Sequence, residues 1–163
     1  MIRYFPDIHP DELLYSAFCR YYKHTGEISY KTTLKELFVK SNPLATIDFP
    51  SNLESFLKQF GEINYYNVED IIFKFTMLPL YYPFLDVERQ NYAINNMAGN
   101  NGKGIYMKLG VMASNFKTLR FLKFCDECLE ADRLKYGEPY WHRSHNIEGV
   151  YVCHKHNRKL QQF

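Results

Sequence analysis

Through the first two-thirds of the chain, apolar residues recur every three or four positions. This spacing gives a helix one face for a core and leaves the other face polar. Leu14, Phe18, Tyr21 and Tyr22 form the first stripe. Pro10 can open that helix where its missing N–H is harmless, Asp11 and Glu12 suit the positive first turn, and Gly26 can close it. Thr33-x-x-Glu36 and Ser51-x-x-Glu54 have the form of capping boxes. They predict two further helices, one burying Leu34, Leu37 and Phe38, the other burying Leu53, Phe56, Leu57 and Phe60 and stopping at Gly61. Asn67 can cap a fourth, with Val68, Ile71, Ile72 and Phe75 on its inner face, before Pro79 and Pro83 force a break. Asp86 caps a fifth that ends near Gly99 and is anchored mainly by Ile94 and Met97.

The stretch from Gly99 to Gly104, rich in Gly and Asn, reads as the boundary between two domains, 1–98 and 105–163. It lacks the Gly-Lys-Ser/Thr ending of a phosphate loop and has no strand before it. Within 31–60 a helix-turn-helix is a candidate. Against it stands the connection 41–50, several residues longer than the tight turn of that motif.

Past residue 119 the pattern changes. Cys125-x-x-Cys128 is followed by Cys153-x-x-His156, and the second pair comes directly after the strand-like run Val150–Val152. Thiolate sulfur and imidazole nitrogen in fourfold coordination are what zinc prefers, and a two-residue gap lets a tight turn aim two ligands at one point. The spacing predicts a zinc-ribbon-like module over 119–163, in which a small β-hairpin carries the second pair back to the first. Four protein ligands leave no open position for water, so the expected Zn2+ is single and structural. His142, His145 and His154 are competing ligands nearby; His156 is preferred because it restores the two-residue gap. Cys19 stands apart on a helix and reads as a buried free thiol. Disulfides are the weaker reading, since Met1–Pro6 shows no secretory signal and Thr76–Leu85 is too short and proline-broken to span a bilayer. The expected location is a reducing cytoplasm, with no membrane partner.

The 163 residues, 46% hydrophobic and 17% aromatic, suffice for one core and a small metal-held appendage. The fold expected is therefore mainly α, a helical domain followed by the Cys3His module. Residues 1–86 carry 8 Lys+Arg and 11 Asp+Glu while 87–163 carry 12 and 7, so the net charge runs from −3 to +5. A basic second half with interleaved aromatics is compatible with a nucleic-acid footprint and equally with an ordinary solvated surface. Arg143, Lys155, Arg158 and Lys159 are the candidate phosphate contacts. Trp141 reads as an apolar plug between module and helices. His142, His145, Asn146, His154 and His156 also suggest a His-Asn-His nuclease site, but their order is poor and no carboxylate completes it.

Three segments together resemble the TniQ family. They are Phe5-Pro6 with Pro10–Ser16 and Arg20, then Thr76–Phe84, and finally Phe124-Cys125-x-x-Cys128 through Tyr136-Gly137-Glu138 and Tyr140–Arg143 to Val152-Cys153-x-Lys155-His156. The resemblance implies a non-catalytic target selector of cut-and-paste transposons. Such a protein binds duplex DNA at an attachment site and recruits an AAA+ ATPase regulator, which brings the transposase. Relatives in CRISPR-associated elements dock instead on an RNA-guided effector, and the alternative reading for this chain is a zinc-dependent protein-interaction adaptor without sequence-specific DNA binding of its own. The family's zinc ligands carry over to Cys125, Cys128, Cys153 and His156. Asp126 and His154 stand where the family usually has Pro, and Asn157 where it has Gly; Asn tolerates the left-handed backbone that Gly would supply. Longer family members continue past the ribbon with further DNA-binding parts, so the expectation is either a short relative or an amino-terminal piece.

Overall fold

The computed structural model describes residues 2–38, 46–60, 66–99, 104–110 and 121–163. The fold is mainly helical: α1 Leu14–Thr25, α2 Tyr30–Phe38, α3 Leu53–Lys58, α4 Val68–Phe75, α5 Leu78–Tyr81, α6 Val87–Ala98, α7 Ile105–Lys108 and α8 Asp126–Tyr136. A two-stranded antiparallel sheet joins β1 Lys123–Phe124 to β2 Gln161–Gln162.

The predicted caps hold where they are local. Asn67 accepts a hydrogen bond from the Asp70 backbone N–H at 2.7 Å, and Asp86 accepts one from that of Arg89 at 2.9 Å. Gly26 ends α1 in the left-handed conformation, φ 65°. Both capping boxes fail. Thr33 is buried inside α2, which already begins at Tyr30, and α3 starts after Asn52 (φ 65°) without a side-chain cap. The expected start of α1 fails as well. Asp11 has φ 62°, Glu12 forms a β-bridge with His142, and the helix begins only at Leu14. Of its expected stripe, Leu14, Phe18 and Tyr21 are buried and Tyr22 is half-buried. Gly26–Ser29 joins α1 to α2 by a short connection; residues 39–45 of the proposed 31–60 motif lie outside the described residues. So do Gly61 and positions 100–103 of the glycine-rich boundary.

Phe18, Phe38 and Phe56 meet at the centre of α1, α2 and α3 with ring centroids 5.2–5.9 Å apart. Phe5 closes the group, edge-on to Phe18 and Phe56 and stacked on Tyr21. Each such pair contributes about 0.5–1.5 kcal/mol beyond the area it buries. The same core continues through Ile71, Ile72 and Phe75 of α4 to Ala93 and Met97 of α6, and Trp141 packs against it from the carboxyl-terminal part. Phe49 is edge-on to Tyr81 and Tyr106, and the Tyr106 hydroxyl donates to the buried Asp48 carboxylate.

Candidate metal centre

β1 delivers the chain to Cys125, which occupies the cap position of α8, and Cys128 follows in the first turn of that helix. The first ligand pair therefore sits on a helix start, where the spacing alone suggested a ribbon turn. Asp126 and Glu127 fill the first turn, a placement the helix dipole favours, and this accounts for an acidic residue in place of proline.

The second pair sits on a hairpin. Val152 bridges Lys159, and the Leu160 N–H donates to the Tyr151 carbonyl at 2.8 Å. At its tip the Cys153 N–H donates to Arg158 O and the Asn157 N–H to Cys153 O, each at 2.8 Å. Asn157 takes φ 53°, the left-handed turn expected of it. The returning strand β2 then pairs with β1, Phe124 opposite Gln161, so the hairpin lies directly beside the first pair.

One ligand atom from each of Cys125, Cys128, Cys153 and His156 lies within 4.8 Å of every other, a group that could hold a metal ion. Cys128 Sγ is 3.7 Å from Cys153 Sγ and 3.3 Å from His156 Nδ1, while His156 Nδ1 is 3.6 Å from Cys125 Sγ and 3.7 Å from Cys153 Sγ. The edge of a tetrahedron with metal–sulfur distances of about 2.3 Å is about 3.8 Å, so the donors stand at coordination spacing. All three cysteines are buried, 0–3% exposed. Burial opposes ionisation of Cys153, yet the backbone N–H groups of His156 and Lys155 bring its thiol to about 7. Burial, together with the neighbouring Cys153, pushes the Cys128 thiol up.

The competing histidines have other places. His145 is 1% exposed, and its Nε2 lies 3.7 Å from Cys128 Sγ. Burial, with His142 beside it, pushes its pKa down to about 4, so the neutral ring can support the Cys128 sulfur from behind. Asn146 accepts from the Lys123 N–H at 2.8 Å and donates to the carbonyls of His142 and Lys123, which gives it a structural role. His154 is exposed.

Sequence reasoning missed what joins this centre to the helices. Arg20 of α1 lies 2.8 Å from the fully buried Glu12 and 2.8 Å from Glu138, which also holds His24. Burial raises the Glu12 pKa despite the Arg20 charge and hydrogen bonds from Ser16 and the His9 N–H. A second set centres on His142, whose Nε2 is 2.8 Å from Asp132 of α8 and whose Nδ1 is 3.6 Å from Asp11. Burial lowers the His142 pKa, but the two carboxylates outweigh it and raise it overall. The Leu13 N–H donates to Trp141 O, the Trp141 N–H to Ser16 Oγ and the Ser144 hydroxyl to Asp11. The signal was present as the acidic pair Asp11-Glu12 with Arg20 eight positions after Glu12, but their partners lie at the far end of the chain.

The candidate phosphate contacts divide. Arg143 turns inward. It donates to the carbonyls of Phe73 at 2.9 Å and Thr76 at 3.2 Å beside Asp11, and burial lowers its pKa. Lys155, Arg158 and Lys159 are exposed on the hairpin, with Arg158 2.8 Å from Glu127. Lys123 is buried, its ammonium donating to Ile147 O and Val150 O. Cys19 is a half-buried free thiol. Among the described residues no helix is long and apolar enough to cross a membrane.

A helical body clamped at both chain ends onto a Cys3His centre is thus the architecture, and the chain belongs to the TniQ family, whose model matches residues 3–160. It is 31% identical over 155 residues to the transposition protein TnsD of transposon Tn7 from Escherichia coli. That alignment covers 95% of this chain and 30% of the relative, so the chain spans about a third of the relative's length.

Proposed function

We propose that this chain is a transposition target-site selector. It binds duplex DNA at an attachment site and recruits the AAA+ ATPase regulator of its element, which in turn brings the transposase. The observation that carries the reading is the 31% identity to a transposition protein across 95% of the chain. The bound metal is one structural Zn2+, because three thiolates and an imidazole at tetrahedral spacing suit zinc and leave no site for a reacting water. The protein acts by binding and has no turnover of its own. It works in the bacterial cytoplasm, on the nucleoid.

In this reading the basic module, 105–163, faces DNA, and the acidic helical part, 1–98, offers the protein-docking surface. Lys155, Arg158 and Lys159 contact phosphates through the exposed hairpin, and Arg143 braces the fold from inside. The Arg158–Glu127 pair does not prevent this, since an exposed ion pair contributes little and can exchange for a phosphate.

Replacing Arg158 and Lys159 together by Ala is expected to weaken binding about equally to unrelated duplexes and to flatten the logarithmic salt dependence by up to roughly 2 units. Fluorescence anisotropy titrations at several salt concentrations measure both. Unchanged affinity and slope would remove the hairpin from the DNA-facing surface.

A further inference from the structure

Nearly every large side chain in the run Thr76–Phe84 has work inside the fold. Thr76 donates to Ile72 O at 2.6 Å, Met77 and Leu78 are buried, Tyr81 packs edge-on to Phe49 and Tyr82 edge-on to Phe73. Phe84 is the exception. It is 87% exposed, and with Val87 at 71% and Leu80 at 39% it forms an apolar turn that also includes the exposed Pro83. Pro83, Phe84 and Val87 stand exposed within five positions of one tight turn, and a group of exposed apolar side chains marks an interaction surface.

The turn is held firmly. Gln90 Nε2 donates to the carbonyls of Tyr82 and Leu85, the Leu85 N–H donates to Tyr82 O, and Asp86 caps α6 directly behind Phe84. A side chain fixed in this way loses little freedom when it is buried in a complex. The rim is acidic. Asp86, Glu88 and Glu148 are exposed around the turn, Glu148 near enough to Tyr81 to raise its pKa further above what burial does. Of the cations beside these carboxylates, Arg89 lies 3.5 Å from Asp86, and the buried Lys123, which faces Glu148, donates to Ile147 O and Val150 O.

We infer that the Leu80–Phe84–Val87 turn docks a basic amphipathic segment of the recruited ATPase. The segment supplies apolar side chains for Phe84 and Val87, and Lys or Arg for Glu88 and Glu148. The inference rests on the recruiter reading above and names its protein-facing surface.

The test is biolayer interferometry of the full chain against the purified ATPase of the same element, without DNA. Phe84→Ser with Val87→Ser is expected to weaken binding at least about tenfold, as loss of an aromatic anchor does. Glu88→Lys with Glu148→Lys is expected to weaken it several-fold. Because these side chains are exposed, thermal melting should match wild type in both variants, and DNA affinity should match it in the Ser variant, which leaves the charge unchanged. Equal ATPase binding by wild type and the Ser variant overturns the docking turn and leaves the recruiter reading intact. Absence of binding by the wild-type chain overturns both. Concentration-dependent dimerisation that the Ser variant abolishes, with ATPase binding unchanged, assigns the turn to a second copy of this chain and overturns the inference.

Discussion

Replacing Cys153 by Ser is expected to strip the metal and unfold the carboxyl-terminal module. A structural zinc ion supplies about 10–16 kcal/mol of apparent binding energy in small metal modules, and the apolar cluster around this one is small. α8 buries only Cys128 and Asp132, and the second core cluster consists of the three cysteines and Leu160, with Val150 against it. Without the ion, three thiols and an imidazole at 3.3–3.7 Å have no common partner, and the hairpin keeps only the exposed ties Arg158–Glu127 and Gln161–Asp126 to α8. The larger core cluster, from Ile2 to Leu122, contains none of the three cysteines or His156, so circular dichroism should retain most of the helical signal. Elemental analysis should fall from about one zinc per chain to a small fraction of that. Full thermal stability after chelation would contradict this account.

Arg20→Ala is expected to cost about 3–5 kcal/mol, because it leaves the Glu12 carboxylate buried without its counter-charge. Glu12 is 0% exposed, and Arg20 also reaches the Asp7 carbonyl at 3.0 Å and Glu138 at 2.8 Å. The deletion therefore removes the buried ionic tie between α1 and the segment that follows α8, leaving His24–Glu138 and the Trp141 N–H to Ser16 Oγ bond. At this chain length the loss corresponds to a fall in melting temperature of roughly 6–20 °C. Arg20→Lys should recover only part of it, since one ammonium cannot reach both carboxylates with the fixed fork of a guanidinium. Calorimetry of the two variants measures the difference, and a wild-type melting temperature in Arg20→Ala would show the pair to be unimportant.

What the sequence made legible was local in origin. Asn67 and Asp86 cap because their partners are three residues on, Asn157 turns left-handed because its own short side chain allows it, and the four residues that could hold a metal ion are marked by their spacing. The failures are non-local. Pro10, Asp11 and Glu12 look like a helix start, but Asp11 is drawn to Ser144, 133 residues downstream, and Glu12 pairs with His142 across a β-bridge. Thr33 has the form of a cap, yet α2 already runs from Tyr30 and takes it into the interior. Arg143 looked free to meet phosphate because nothing in its neighbourhood of sequence shows the two carbonyls, of Phe73 and Thr76, that occupy it. Residues Pro10–Arg20 and Glu138–Ser144, far apart in sequence, meet in space.

Retention of the regulator ATPase on an immobilised attachment-site duplex tests the central claim most directly. The account predicts retention only when this chain and the cognate site are both present, with the DNA left uncut in magnesium or manganese. ATPase that stays in solution at tens of micromolar chain, or metal-dependent cleavage that His145→Ala abolishes, would contradict it.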